Sequence, residues 1–318
     1  MEYALFKSRS YRGVISKGLG LYFSHFRLFL KASWLMAVIF AVVFAALEML
    51  LSIQLPALSA TIMKQELVLK TGLSPEIAQQ YLVSVGFAFL LILLFIIVEA
   101  LTVGTVVNKL KEHHDTNTMT VPKRWLSISR RMMGRTLKGY VFTILTILVP
   151  VLLLAALVAV LHHFAPDAMM TWMIIVALCC MVLGLMTLPM LFVFMKYVMN
   201  TGKSYFSQLR ASYARGLRHM GHIFTTMLIG WLIVCVLAGI CCLPTIILAQ
   251  AHWMSQEGFL NGDPLGMPGY ITPLSFITYF LTGFVLVYIC MPILLIVYYM
   301  YGSIETYEQE KEKNKLDI

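Results

Sequence analysis

Residues 203–251 read KSYFSQLRASYARGLRHMGHIFTTMLIGWLIVCVLAGICCLPTIILAQA, and the change of character within this stretch decides the fold class. Up to Arg218 the chain is basic, carrying Lys203, Arg210, Arg215 and Arg218. Its apolar residues Phe206, Leu209, Tyr213, Leu217 and Met220 recur every three or four positions, as on one face of a helix, and the arginines occupy other faces. From His219 to Ala251 there is then no Asp, Glu, Lys or Arg. A bilayer core about 30 Å thick takes about 20 mostly apolar residues to cross as a helix, so 223–251 is a membrane span. The basic segment ahead of it suits a helix lying in the headgroup plane, apolar face down.

The same test finds spans at 32–55, 81–107, 137–162, 170–199 and 273–301, in a chain of 318 residues that is 60% hydrophobic and 12% charged. A soluble core has no need of six such segments, so the expected class is all-α and polytopic, with six transmembrane helices. Orientation follows from the positive charges, which collect on the cytoplasmic side. Lys7, Arg9, Arg12, Lys17, Arg27 and Lys31 precede the first span. Lys109, Lys111, Lys123, Arg124, Arg130, Arg131, Arg135 and Lys138 lie between the second and third. Lys196, Lys203, Arg210, Arg215 and Arg218 lie between the fourth and fifth, and Lys311, Lys313 and Lys315 in the tail. Of the 24 Lys and Arg, Lys64 and Lys70 alone fall on the opposite side, balanced there by Glu66 and Glu76. Both termini are therefore expected to be cytoplasmic (N-in, C-in).

The net charge of +9 is spread over short connections that flank spans, so it fits anionic lipid headgroups and not nucleic acid. Attraction of about 1 kcal/mol per basic residue near such a surface is sufficient. The headgroup candidates are Lys17, Arg27, Arg124, Arg130, Arg131, Arg135, Arg210, Arg215 and Arg218. The first apolar stretch is a full span and too long for a signal-peptide core, so it is read as an uncleaved anchor. Cys179, Cys180, Cys235, Cys241, Cys242 and Cys290 all fall in expected spans, where they read as small buried apolar residues. No Asn-x-Ser/Thr sequon occurs.

A threefold repeat is expected beneath the six spans: a single membrane domain (1–318) with repeats 11–110, 121–200 and 203–302, and a charged tail at 303–318. Each unit is an interfacial basic helix followed by a transmembrane hairpin. In the first, Ile15, Leu19, Tyr22 and Phe26 keep helical spacing; in the second, Trp125, Ile128 and Met132 do so. Aligning Gly20, Gly134 and Gly216 brings the three starts into register. On the outer side, Ser74-Pro75-Glu76 reads as a helix start, and 255–272, with Asn261-Gly262-Asp263-Pro264, as a turn-rich loop. Ser33, Ala37, Ala41 and Ala45 form a small-residue stripe on the first span, suited to close helix packing.

Glu48 and Glu99 are the strongest pointers to function. A carboxylate within a span costs about 2.5–3.5 kcal/mol on insertion scales, so it faces the bundle interior or water. At 1.5 Å per residue the two sit roughly 10 Å apart in depth, too far for a shared proton. Lys196 has a depth suited to pairing with Glu99. Proton or cation coupling and a structural interhelical bond both stay open. Pro150, Pro189, Pro244 and Pro292 lie inside four spans as kink candidates, either lining a binding site or simply tolerated. His162, His163 and Asp167, with His252, are weak metal candidates beside plain interfacial histidines; so are His113, His114 and Asp115. No metal or other cofactor is expected. Thr201-Gly202-Lys203-Ser204 fails as a P-loop, because Tyr197 stands where the motif needs glycine.

Val14-Ile15-Ser16-Lys17-Gly18-Leu19-Gly20-Leu21-Tyr22, then Phe26-Arg27-Leu28-Phe29-Leu30-Lys31, resembles the start of six-span bacterial proteins of the YciC type. Those are related to the membrane domain attached to some glycerophosphodiester phosphodiesterases. Pro292 followed by Tyr298, Tyr299 and Tyr301 is similar to the closing segment of that group. The resemblance implies a bacterial inner-membrane protein, and no phosphodiesterase activity is carried over. The expectation is a non-enzymatic, lipid-interacting or membrane-assembly scaffold, whose partners are inner-leaflet lipids and copies of itself or another membrane protein. The alternative is a transporter or channel subunit for a small or lipid-like solute, coupled through Glu48 or Glu99.

Overall fold

The computed structural model describes residues 5–65, 74–116, 130–164, 169–262 and 267–316, and these are helical with no strand among them. In chain order they form α1 (Tyr11–Ser24), α2 (Phe26–Met49), a π-helical turn (Leu50–Gln54), α3 (Leu55–Met63), α4 (Pro75–Thr116), α5 (Arg130–Phe164), α6 (Met169–Met199), α7 (Tyr205–Arg218), α8 (Met220–Leu260) and α9 (Ile271–Leu316). Six helices are long and apolar enough to cross a membrane: the continuous run Phe26–Met63, then α4, α5, α6, α8 and α9. Each outruns its expected apolar span, since a helix continues into the aqueous boundary as long as its residues tolerate it. Thus α4 starts at Pro75, the expected start, and α8 runs on to Leu260 through the first third of the expected turn-rich loop. The left-handed φ of +92° at Gly262 follows directly, a conformation that glycine adopts without strain.

The chain divides into two compact units. The first comprises residues 1–29, 103–232 and 292–318. At its centre the later part of α9 is enclosed on every side, with Leu295 to Tyr301, Ser303 and Ile304 all buried. A helix hidden all round is the innermost element of its bundle. Glycine makes the approach of α1 possible: a Cβ on Gly18 would lie 2.9 Å from Cγ1 of Ile296 and 3.0 Å from its backbone.

Helices α1 and α7 match one another closely. Both are 14 residues long, begin at an extended serine (Ser10, Ser204) followed by tyrosine, and end at a histidine (His25, His219) from which the next helix departs. This cap-to-cap register differs by two residues from the alignment of Gly20 with Gly216; it pairs Gly18 with Ser212 and Tyr22 with Gly216. Of the remaining start, 121–129 lies outside the described residues, and from Arg130 the chain is already within α5.

The two helices use their faces differently. Helix α7 buries Tyr205, Gln208, Ser212 and Gly216, with Gly216 set so close to Pro189 that a Cβ would come within 2.9 Å of its ring. Its apolar face is only partly covered: Leu209, Tyr213 and Leu217 are half-buried, with the Tyr213 hydroxyl donating to the Met186 carbonyl. Phe206 is 59% exposed, although its ring centroid lies 5.1 Å from that of Phe142. In α1, by contrast, the apolar residues Val14, Ile15, Leu21 and Tyr22 are themselves buried in protein. The expectation that Ile15 and Tyr22 face lipid is corrected: they pack inward.

The second unit comprises residues 30–102 and 233–291. Ser33, Ala37, Ala41 and Ala45 are all essentially inaccessible, so the small-residue stripe of α2 is a packing face. Phe44 fills the space above Gly283 of α9, and Phe40 meets Phe95 of α4 with ring centroids 5.0 Å apart. The π-helical turn directly precedes Pro56, which lacks the N–H to continue the α-ladder and whose ring crowds the carbonyl of Ser52. A widened turn relieves both. Pro150, Pro189, Pro244 and Pro292 lie inside helices that run through them.

Candidate functional site

Polar side chains gather in two places, one in each unit. In the second unit the N-terminal part of α9 carries Ser275, Tyr279 and Thr282, all buried. At these spacings they share one helix face. Each meets a different neighbour: His252 lies 3.0 Å from Ser275 Oγ, Ser52 Oγ lies 3.1 Å from Tyr279 Oη, and Thr245 donates to Thr282 at 2.9 Å. His252, a weak metal candidate on sequence, thus holds α8 to α9.

Glu48 stands at the edge of this seam. Its backbone carbonyl accepts from the Ser52 hydroxyl, and the side chain is within electrostatic range of Tyr279 and Cys242. Its carboxylate has no hydrogen-bond partner among the described residues. Glu99 is half-buried on α4, within electrostatic range of Cys290. The six cysteines are free thiols, and none is enclosed by protein; Cys180, Cys235 and Cys290 are exposed, contrary to their reading as buried.

In the first unit the polar groups surround the continuation of α9. Lys196, near the end of α6, forms an ion pair with Glu305. The expected pairing of Lys196 with Glu99 is therefore corrected: α9 continues past its apolar stretch and brings a carboxylate of its own. His219, at the elbow between α7 and α8, lies 2.7 Å from Glu308, and His113 lies 2.9 Å from the Tyr298 hydroxyl. The start of the expected solvated tail is thus anchored, with Ser303 bonded to the backbone of Arg9. Glu305 and Glu308 escaped sequence reading because a mixed-charge run looks the same whether packed or solvated. Their three-residue spacing on a helix that prolongs a span was the available signal.

Arg135 was expected at lipid headgroups. Instead its guanidinium donates to the carbonyls of Tyr197, Asn200, Thr201 and Lys203, and Lys111 donates to that of Met199. Two cations therefore satisfy the orphan carbonyls at the C-terminus of α6, where the helix dipole also favours them. Of the other headgroup candidates, Arg27, Arg130, Arg131, Arg210 and Arg218 are exposed, and Lys17 and Arg215 are partly buried. Arg124 and Asp167, and the side chains of His162 and His163, lie outside the described residues. His113 turns to Tyr298 while His114 turns to Asp115, so that trio does not converge. No group of three metal-ligating side chains occurs among the described residues.

Two clefts accompany these clusters. One, of about 510 Å³, lies between α5 and α6 against Pro150, Leu153, Leu178 and Val182. The other, of about 260 Å³, lies between α3 and α8. Neither is lined by Glu48 or Glu99.

These features define a multi-pass, all-helical protein with six helices fit to span a membrane, its span polar groups tied largely to one another. Comparison with protein-family models, curated proteins and solved structures finds no match to this chain.

Proposed function

We propose that the chain is a non-enzymatic multi-pass protein of a bacterial inner membrane, with both termini cytoplasmic, that acts by holding lipid and scaffolding membrane assembly. The YciC-type resemblance points the same way. Its partners are anionic lipids of the inner leaflet and further copies of itself or another membrane protein. Helix α7 carries this reading: it packs on protein chiefly by Tyr205, Gln208, Ser212 and Gly216, leaving Phe206, Arg210 and Arg218 exposed. An apolar ring flanked by exposed guanidinium groups fits an anionic lipid surface. At about 1 kcal/mol per basic residue, Arg210→Gln with Arg218→Gln weakens binding of phosphatidylglycerol by tenfold or more. Native mass spectrometry of the purified chain reads this directly, and unchanged binding rejects the proposal.

A transporter remains the second reading, on one observation: the π-helical turn lies beside Glu48, whose carboxylate makes no hydrogen bond among the described residues. In proteoliposomes, proton flux that is unaltered by Glu48→Gln and by Glu99→Gln removes it.

A further inference from the structure

The cleft of about 260 Å³ in the second unit has a mixed lining. Pro56, Ala60, Met63 and Leu260 supply apolar surface, while Ser59, Gln256 and Glu257 supply oxygen acceptors and Trp253 an aromatic face. The Ser59 hydroxyl donates to the Pro56 carbonyl, which leaves its own lone pairs to accept. Lys64, next to Met63, holds its ammonium 4.0 Å from the centroid of the Phe259 ring at the same end of α8. A carboxylate thus lines this small, half-apolar cleft, and a cation stands next to its rim: Lys64 follows Met63, and its ring partner Phe259 precedes Leu260.

Its depth is set by helix length. The run Phe26–Met63 has 38 residues and α8 has 41, against the about 20 needed to cross the hydrocarbon. With the apolar stretches ending at 55 and 251, residues 56–63 and 253–260 extend roughly 12 Å further at 1.5 Å per residue. That places the cleft in the headgroup layer and its rim just beyond, where Trp253, 60% exposed, also belongs. Sites for drug-sized ligands begin at about 300 Å³, so this cleft admits a headgroup and not a whole lipid.

We propose that the cleft binds the headgroup of a zwitterionic lipid bearing a primary ammonium, of the phosphatidylethanolamine class, on the membrane face opposite the two termini. The ammonium donates to Glu257 and Gln256 and lies against the Trp253 face, as cations do over aromatic rings. The phosphate meets Lys64. The glycerol end rests on Pro56, Ala60, Met63 and Leu260. A choline headgroup has no N–H to donate, and a glycerol headgroup brings a negative charge with no cation for Glu257. This rests on the lipid-binding reading above and adds a second, chemically distinct lipid site to it.

The test is native mass spectrometry of the full chain in detergent, titrated with phosphatidylethanolamine, phosphatidylcholine and phosphatidylglycerol of identical acyl chains, and with soluble glycerophosphoethanolamine. Phosphatidylethanolamine is expected to bind about tenfold more tightly than phosphatidylcholine. Glu257→Gln, nearly isosteric at an exposed position, reduces that preference to within twofold, and Ala60→Phe, which fills the cleft, abolishes it. Equal binding of the two lipids, a preference that survives either substitution, or tighter binding of glycerophosphoethanolamine than of its lipid overturns the proposal. Phosphatidylglycerol binding through Arg210 and Arg218 is measured in the same spectra. Loss of the ethanolamine preference alone therefore leaves the α7 reading intact, whereas loss of the arginine effect removes that reading.

Discussion

The ion pair between Lys196 and Glu305 is the sharpest place to perturb the bundle. Their side chains are 11% and 15% exposed, so this is a mostly buried pair. Removing one partner of a buried pair costs about 3–5 kcal/mol, because a charge is left without compensation, while exposed pairs contribute about 0–1 kcal/mol. The residual exposure puts the expected loss between the two ranges, just below the buried one, at about 2–3 kcal/mol. The two losses are not equal. Lys196 stands in the last turn of α6, near the negative end of the helix dipole, and 5.6 Å from the centroid of the Phe192 ring. Its ammonium keeps some compensation without Glu305, whereas Glu305 without Lys196 keeps no such support. Lys196→Met is therefore expected to destabilise more than Glu305→Gln. The double variant should recover much of the loss, with a coupling energy of about 1–3 kcal/mol. Denaturant titration of the purified protein in micelles, followed by circular dichroism, measures all three. Additivity within about 0.5 kcal/mol, or both single losses under 1 kcal/mol, refutes the buried-pair reasoning.

Two further outcomes follow from packing on the same scale. Gly18→Ala gains up to about 1 kcal/mol of helix propensity, but its Cβ meets backbone of the buried α9, and such overpacking costs about 1–3 kcal/mol. Gly20→Ala meets nothing within 4 Å, so in the same denaturation assay the two substitutions should differ in sign, Gly18→Ala destabilising and Gly20→Ala stabilising. Thr245→Val breaks one interhelical hydrogen bond to Thr282; such bonds average about 0.6 kcal/mol in membrane proteins. Its loss should stay well below that of Lys196→Met, and a larger effect means the seam on α9 carries more of the stability than the ion pairs.

The local features were legible in the sequence because length and composition carry them. An unbroken apolar run long enough for a bilayer needs no knowledge of its neighbours, and six were found where six helices stand. The start of α4 after Ser74 and the buried stripe from Ser33 to Ala45 were likewise visible in spacing alone. Where two faces of one helix compete for burial, spacing failed. The segments α1 and α7 read alike, yet one buries Ile15 and Tyr22 in protein and the other leaves Phe206 more than half exposed. The apolar pattern marks a face that avoids water, and in a membrane protein both lipid and protein satisfy it.

The sequence by itself determined the class, the number of spans and the residues that make them, since crossing hydrocarbon is a demand on each segment alone. Only the tertiary structure decided that the part of α9 from Leu295 to Ile304 is the buried centre of the first unit, although the helix's apolar stretch looks like the other five. The same holds for the partners of the polar groups. Lys196 meets Glu305 and not Glu99, and Arg135 caps α6 instead of facing outward. A charge near a span end declares that it needs a partner, but which helix supplies that partner depends on neighbours that no local pattern records.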